Sequence, residues 1–278
     1  MSKGLQLLLC ALVGVMAFIA AHADDCKFTA ERSGKVSAAG AKRIEMRAGA
    51  GDLKVTGKRG AGEVSGTGKA CASTQELLDQ VQLKVTREGD VIHVDTPMPD
   101  LSGFKIGNTY ATLDLVVELP DNVPLVAIDS SGDAKFQHLA TADISDSSGD
   151  LTIEDVTGDL KVRDSSGDLE IDRVTGNLQL EDSSGDIEVD DVRGDVTVAA
   201  DSSGSMTIEH IGKGVHIVQD SSGDIDIVDV KANVVIDSDS SGEVDVRKVG
   251  GNFTLSGKGS GDIKTAEISG TVSLPPGR

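Results

Sequence analysis

The sequence predicts an all-β protein whose C-terminal half is a two-sheet parallel β-solenoid built from rungs of 18 to 19 residues. The first observation is a repeat: seven copies of Asp-Ser-Ser-Gly-Asp, or a close variant, recur every 17 to 19 residues. Ser205 and Glu243 replace the last Asp in two copies, and a degenerate eighth copy spans Gly257 to Asp262. Repeats of this length are typical of solenoids, in which each unit packs on its neighbours. The copies begin at Asp129, Asp146, Asp164, Asp182, Asp201, Asp220 and Asp239.

The second observation is that apolar and polar residues alternate within each repeat. Leu151 and Ile153 follow one motif, and Leu160 and Val162 form a second alternating pair after a short connection. Period-two alternation indicates short β-strands with one dry and one wet face. Rungs stacked about 4.8 Å apart then form a rod about 35–40 Å long, for which right-handed winding is the default. We expect one interior column to contain Ile153, Ile171, Val189 and Ile227.

The third observation is that Gly recurs at the turns, which disfavours helix. The motif glycines, such as Gly149 and Gly167, are expected to adopt positive φ. We expect the motif acids and serines to bond turn N–H groups and to be solvated. The opposite edge is predicted to be a mixed polar turn formed by Asp159, Asn177, Asp195, Gly214, Asn233, Asn252 and Thr271.

The N-terminal part is less regular and is predicted to contain a signal peptide and a cap. Residues 1–23 combine Lys3, an apolar stretch and the small-x-small sequence Ala21-His22-Ala23, a pattern typical of cleaved export signals. Residues 24–120 are assigned to a cap that covers the first rung, and residues 121–278 to the solenoid. No later segment is long and apolar enough for a transmembrane span.

Local signals define the elements of this cap. Ser73-Thr-Gln-Glu76 is a capping box that predicts a short helix. Residues 82–87 and 91–96 flank Glu88-Gly-Asp90 and predict a hairpin. Residues 97–108 are predicted to be a loop and residues 111–119 a strand.

Two cysteines, Cys26 and Cys71, remain after the signal peptide. An even number in an exported chain favours a disulfide, and closing a loop of about 45 residues contributes at most roughly 4 kcal/mol. Two unrelated buried thiols are the alternative.

The net charge of −20 is concentrated in the repeat, where residues 129–246 hold 29 acidic and 7 basic side chains. This makes nucleic acid a poor partner. Stacked acids also suit Ca²⁺, which prefers oxygen ligands, although the glycine-rich Ca²⁺-binding nonapeptide places Asp two residues after Gly rather than one. We expect no metal or cofactor, with solvated acids in the turns. The alternative Ca²⁺ ladder comprises Asp146, Asp150, Asp164, Asp168, Asp182, Asp186, Asp201, Asp220, Asp224 and Asp239.

No residues are predicted to be catalytic. A catalytic triad is unique within a structure, whereas the serines recur in every rung and His93, His138, His210 and His216 follow no motif. Sugar rings usually stack on aromatic side chains, and the chain has one Tyr and no Trp. Charged residues at the outward strand positions, such as Glu170 and Asp172, disfavour an ice-binding surface.

The Ser-Ser-Gly-Asp-Ile/Leu-x-Val/Ile units, with Val-x-Gly-Asp-Leu/Val-x-Val between them, resemble the putative-adhesin or toastrack-like family of bacterial envelope proteins. The resemblance extends from about residue 40 to 274 and includes Gly51-Asp-Leu-Lys-Val55. It implies β-strand repeats and an adhesin-like or envelope-sensing role in the periplasm, at the cell surface or outside the cell. The implied partner is an unidentified envelope protein or surface ligand. A Ca²⁺-dependent structural solenoid is the second hypothesis, and a polysaccharide-acting enzyme a remote third.

Overall fold

The structure is a computed structural model that describes residues 26–101 and 109–276. The predicted signal peptide and most of the predicted loop at 97–108 lie outside this range. Within it, one helix, α1 (Gln75–Gln80), accompanies two sheets of twelve strands each. That helix is too short to cross a membrane, and the same part of the chain contains no membrane-spanning helix.

The first twelve strands are β1 (Phe28–Ser37), β2 (Arg43–Arg47), β3 (Leu53–Lys58), β4 (Glu63–Ala72), β5 (Lys84–Glu88), β6 (Val91–Asp95), β7 (Ala111–Pro120), β8 (Leu125–Ile128), β9 (Ala134–Leu139), β10 (Ala142–Ser145), β11 (Leu151–Val156) and β12 (Leu160–Arg163). The others are β13 (Leu169–Val174), β14 (Leu178–Glu181), β15 (Ile187–Val192), β16 (Val196–Ala200), β17 (Met206–Ile211), β18 (Val215–Ile217), β19 (Ile225–Val230), β20 (Val234–Ser241), β21 (Val244–Val249), β22 (Phe253–Ser260), β23 (Ile263–Ile268) and β24 (Val272–Ser273).

From β8 onward the chain is a regular parallel solenoid, as predicted. Each rung contributes an even-numbered strand to one sheet and the following odd-numbered strand to the other, and equivalent residues pair in parallel register. The predicted interior column is confirmed because its residues are fully buried and pair in successive rungs. That column runs through Ile153, Ile171, Val189, Ile208 and Ile227.

The predicted boundary at residue 120 does not interrupt the sheets. β2 and β3 form a rung beside β8 and β9, and β6 and β7 form the next rung outward, so spatial order differs from chain order. In the described part of the chain, β1, β4, β5 and α1 cover this end, and the three strands pair antiparallel.

The predicted hairpin, helix and 111–119 strand are all present in the N-terminal part. The helix cap differs by one residue from the prediction. Thr74, rather than Ser73, is the N-cap, and its side chain accepts the Leu77 N–H. The predicted disulfide is confirmed between Cys26 and Cys71, with a Cα–Cα distance of 5.7 Å.

The motif glycines adopt positive φ as predicted, between 111° and 136° for the seven copies. The close stacking of successive rungs is a second reason why this position must be glycine. A Cβ added at Gly185 would lie 1.7 Å from the carbonyl oxygen of Gly167 in the preceding rung. At the opposite edge, Asn177 N–H donates to Asp159 Oδ1 at 2.8 Å, and Asp195 N–H donates to Asn177 Oδ1 at 3.0 Å. This is the polar ladder that the sequence predicted.

A second column of positive φ was not predicted. In each rung the residue before an interior aliphatic side chain, such as Val156 or Val174, has φ between 51° and 60° without being glycine. Such a conformation is uncommon for other residues and is costly unless the surroundings enforce it. Basic and acidic residues alternate along this left-handed column: His138, Asp155, Arg173, Asp191, His210, Asp229, Lys248 and Glu267.

Candidate functional site

The first acid of every motif lies inside the solenoid. The expectation of solvated turn acids is therefore wrong for this position, where the residues are only 0–3 % exposed. We call this set the aspartate column: Asp129, Asp146, Asp164, Asp182, Asp201, Asp220 and Asp239.

Strand geometry explains why these acids point inward. Ile144 is buried, Ser145 is half-buried and Asp146 is buried, so the period-two alternation of the strand continues into the motif. Asp146 also retains a strand-like bond, from its N–H to the Arg163 carbonyl at 2.8 Å. The aspartate is therefore the last inward position of the strand rather than a turn residue.

The 19-residue rungs preserve this position with a bulge. Leu180 pairs with Val198, but Glu181 pairs with Ala200, so Ala199 is an inserted residue that faces outward. Asp201 consequently remains in the column and bridges in parallel to Asp220, which bridges to Asp239. A β-bulge thus absorbs the change from an 18- to a 19-residue step.

The two ends of the aspartate column are closed by different residues. On the N-terminal side Arg47 pairs with Ile128, so the next residue, Ala48, occupies the position equivalent to Asp129. On the C-terminal side Lys258 pairs in register with Asp239. The Lys258 Nζ lies 2.5 Å from Asp239 Oδ2 and also donates to the carbonyls of Gly242 and Ser260. The degenerate eighth motif therefore supplies a buried cation at the end of the column.

The remaining carboxylates have few partners among the described residues. Asp164 Oδ1 accepts the Ser165 N–H at 2.8 Å. The other side-chain oxygens of the six residues from Asp129 to Asp220 have no hydrogen-bond partner with good geometry. The N–H groups of the two following serines nonetheless lie near several of these carboxylates, for example Ser147 and Ser148 beside Asp146. A buried carboxylate in this environment is poorly compensated when ionised.

Burial is the main reason that the pKa values of the column rise. It raises the pKa of Asp129 and Asp182 to about 7, with the charges of neighbouring column members adding to the effect. The pKa of Asp146 is raised to about 6 and that of Asp220 to about 8. Burial also raises the pKa of Asp164 and Asp201. Nearby serine N–H groups oppose these shifts at most of the positions because they stabilise the charged form.

The last acid of the motif has a different environment, because it is exposed. Asp168 N–H donates to Asp150 Oδ1 at 3.1 Å, and Asp186 N–H donates to Asp168 Oδ1 at 3.0 Å. The ten residues of the alternative Ca²⁺ ladder therefore form two columns, one inside and one outside. The outer acids are Asp133, Asp150, Asp168, Asp186 and Asp224.

The motif serines support the backbone. Ser166 Oγ donates to the Ser147 carbonyl at 3.2 Å, and Ser184 Oγ donates to the Ser165 carbonyl at 3.1 Å. Their hydroxyls therefore link successive turns across the rungs. These hydrogen bonds recur from rung to rung, which agrees with a structural role for the motif serines.

Comparison with known proteins gives the family. The family model described as Toastrack DUF4097 matches residues 19–210 and, in an overlapping second match, residues 79–274. The chain belongs to the Toastrack family. Two overlapping matches are expected of a repeat protein, because one model aligns with the same rungs in more than one register. No curated protein matches the sequence of this Toastrack protein.

Several solved structures are similar to this Toastrack protein. A putative adhesin from Bacteroides fragilis is 15% identical, with a TM-score of 0.46 over 89% of this chain and 97% of that one. A putative adhesin from Parabacteroides merdae is 12% identical, with a TM-score of 0.46 over 87% and 95%. A putative lipid binding protein from Parabacteroides distasonis is 20% identical, with a TM-score of 0.44 over 88% and 96%. At these values the likeness supports no functional inference.

The four histidines within the described residues lie apart, and each contacts a different carboxylate. His93 lies 3.5 Å from Glu45, His138 3.3 Å from Asp155, and His216 2.8 Å from Asp237. His210 lies 2.6 Å from Asp190. With Glu209, these two residues form the one group of three possible metal ligands in the described part of the Toastrack chain. Asp190 raises the pKa of His210 by hydrogen bonding and by its negative charge.

Proposed function

We propose that this Toastrack protein is a non-catalytic, exported scaffold of the cell envelope that binds a basic protein segment along one sheet. Export is supported by the signal-like N-terminal sequence and by a disulfide, which is typical of oxidising compartments. A binding role is supported by the repeated surface, in which each rung presents outward side chains at nearly constant spacing. The binding face is assigned from its charge.

Like charges face each other across β13 and β15, and this observation carries the proposal. Glu170 pairs directly with Glu188, and Asp172 pairs directly with Asp190. Like charges at directly opposed positions destabilise a sheet. We call Glu170, Asp172, Glu188, Asp190 and Glu209 the acidic face.

Among the residues that the structure describes, few cations compensate the acidic face. Arg173 contacts Asp172 but also bonds Asp155, and His210 contacts Asp190. The other sheet is different, because the equivalent outward column contains Lys161, Gln179, Thr197 and His216. Opposite charge brought by a partner would relieve the repulsion on the acidic face only.

A basic segment suits this surface because the acids lie on successive rungs about 4.8 Å apart. Lysine and arginine side chains along an extended segment can reach several rungs together. Such binding is expected to be fast, dependent on several weak contacts and sensitive to salt.

The test compares two variants that lose the same charge on opposite faces. Glu170→Gln/Glu188→Gln neutralises the acidic face, whereas Asp143→Asn/Glu181→Gln neutralises two outward positions of the other sheet. Binding of a fluorescent lysine-rich peptide is measured by anisotropy at low and high salt. We expect the first variant to bind roughly tenfold more weakly, since two exposed ion pairs contribute up to about 1 kcal/mol each, and the control to bind like the parent. Equal losses in both variants, or no binding by the parent protein, would contradict the proposal.

A further inference from the structure

The buried carboxyl groups of the aspartate column must be neutralised whether or not the protein binds a partner. Seven carboxyl groups are stacked inside the molecule at the spacing of neighbouring strands. Lys258 is the cation in contact with them, and it contacts Asp239 at one end. Uncompensated buried charge is so unfavourable that such groups are normally neutralised. The remaining members of the column therefore need protons or metal ions.

The geometry favours protons. The carboxyl groups of Asp201, Asp220 and Asp239 lie close enough to hydrogen-bond once one of them is protonated, and so do those of Asp129 and Asp146. Ca²⁺ would require six to eight oxygen ligands at about 2.3–2.6 Å. The motif serines, which could supply such ligands, donate their hydroxyls to carbonyls of the preceding rung. The outer acids accept backbone N–H groups instead.

The charged groups around the column are few. Lys258 faces Asp239 from the last rung, Asp52 acts on Asp129 from the first, and the outer Asp150 acts on Asp164. The strands that lead into and out of the motif place aliphatic side chains such as Ile144 and Leu151 in the interior. No further cation balances the column among the described residues.

We propose that the aspartate column is a proton-binding ladder, in which stacked carboxyl groups share protons at neutral pH and so make solenoid stability depend on pH. The ligand is the proton, and the site is the interior of the motif turns. For an exported protein, this arrangement couples the stability of the fold to the acidity of its surroundings.

The sign of the effect follows from proton binding in the two states. The folded pKa values of about 6 to 8 at Asp146, Asp129, Asp182 and Asp220 exceed the ordinary value of 3.8. The folded state therefore binds more protons than the unfolded state across this range. Stability from these groups is fully present below the ordinary value and is lost as pH rises through the folded values.

The test uses two substitutions in the same turn. Asp182→Asn removes one member of the column with an uncharged side chain of similar shape, and Asp186→Asn changes the outer acid. The midpoint of urea unfolding is measured from pH 5 to 9 for the full mature protein. We expect the urea midpoint of the parent protein to fall as pH rises. The midpoint of Asp182→Asn should fall less steeply and should exceed that of the parent above pH 8. The midpoint of Asp186→Asn should change with pH as steeply as that of the parent.

Two readouts on the parent protein cover the case in which Asp182→Asn fails to fold. The infrared stretch of protonated carboxyl groups is expected at pH 6 and should decrease towards pH 9. Elemental analysis is expected to find no stoichiometric metal. A midpoint independent of pH from 6 to 8, the absence of the protonated-carboxyl band, or several bound Ca²⁺ ions per chain would overturn the proposal.

Discussion

The solenoid contains two charged columns that obey opposite rules. The aspartate column repeats the same acid seven times in the interior, whereas the left-handed column alternates basic and acidic residues at the surface. Both contribute one residue per rung. In the left-handed column Asp155 lies between His138 and Arg173 and contacts each of them, at 3.3 and 2.6 Å. In the aspartate column most neighbours are identical acids.

This contrast shows how the environment determines which charge pattern a repeat can carry. Exposed residues about 5 Å apart keep their charges, so opposite signs on successive rungs reduce repulsion and favour correct register. Buried carboxyl groups can instead lose their charge by protonation. Identical acids can therefore stack in the interior, and Lys258 is required only where the column ends.

The largest effect is expected for Ile171→Asp, which places an acid in the neighbouring aliphatic column rather than in the aspartate column. Ile171 is fully buried between Ile153 and Val189. An unpaired acid there should cost about 4 kcal/mol or more and unfold adjacent rungs. Circular dichroism with urea unfolding measures the loss. Glu170→Asp, on the outer face of the same strand, is the control and should change stability by less than about 0.5 kcal/mol; similar effects for both would contradict the distinction.

Lys258→Met should have the next largest effect. It leaves Asp239 buried without its cation, and removing one partner of a buried pair costs about 3–5 kcal/mol. Urea unfolding of the variant and the parent protein at neutral pH measures the loss. Lys264→Met removes an exposed lysine that contacts Glu243, and a comparable loss there would show that burial of Lys258 is unimportant.

Reversing one charge in the left-handed column should have a smaller effect. Arg173→Asp creates three successive acids with Asp155 and Asp191 and removes the Arg173–Asp155 contact. Because these groups are partly exposed, we expect a loss of about 1 kcal/mol at low salt that shrinks at high salt. Thermal unfolding in both conditions measures it. Arg193→Asp has the same charge change outside the column, and an equal, salt-independent loss would refute the importance of alternation.

Salt and Ca²⁺ should have the smallest effect, because they reach only the outer acids. Salt screens exposed charges over about 10 Å at 0.1 M, so a modest rise in melting temperature is expected. Ca²⁺ should add no saturable effect below millimolar concentration. Calorimetric titration, with Mg²⁺ as the matched control ion, distinguishes screening from binding. Several Ca²⁺ bound with micromolar affinity would make the motif a metal ladder instead.

The fold was largely predictable because its main signals are local. Alternation places Ile171 and its equivalents inside, and only glycine suits the stacked turn at Gly185. The order of the N-terminal rungs was not predictable, because β6 and β7 lie outside β2 and β3 through long-range pairing. The left-handed column carries no local signal, since residues as different as Arg173 and Asp191 adopt the same φ region.

The inward direction of the first motif acid had a signal that the sequence interpretation missed. Asp146 follows Ile144 by two residues, which places both on the same side of a strand. The usual exposure of acids in turns outweighed that spacing. In the longer rungs the bulge at Ala199 places Asp201 three residues after Val198, so the alternation is recognisable only once the strand register is known.

The most direct test of the central claim counts the protons released when the mature protein unfolds at pH 7. Asp129 and Asp182, with pKa values of about 7, should each be half protonated when folded, and Asp220, with a pKa of about 8, mostly protonated. All three should be ionised when unfolded, so unfolding should release about two protons. Potentiometry in weakly buffered denaturant, corrected with a blank that contains no protein, gives the number of protons released. Release of about two protons agrees with a protonated column, whereas no release would show that the buried aspartates are already ionised and would contradict the account.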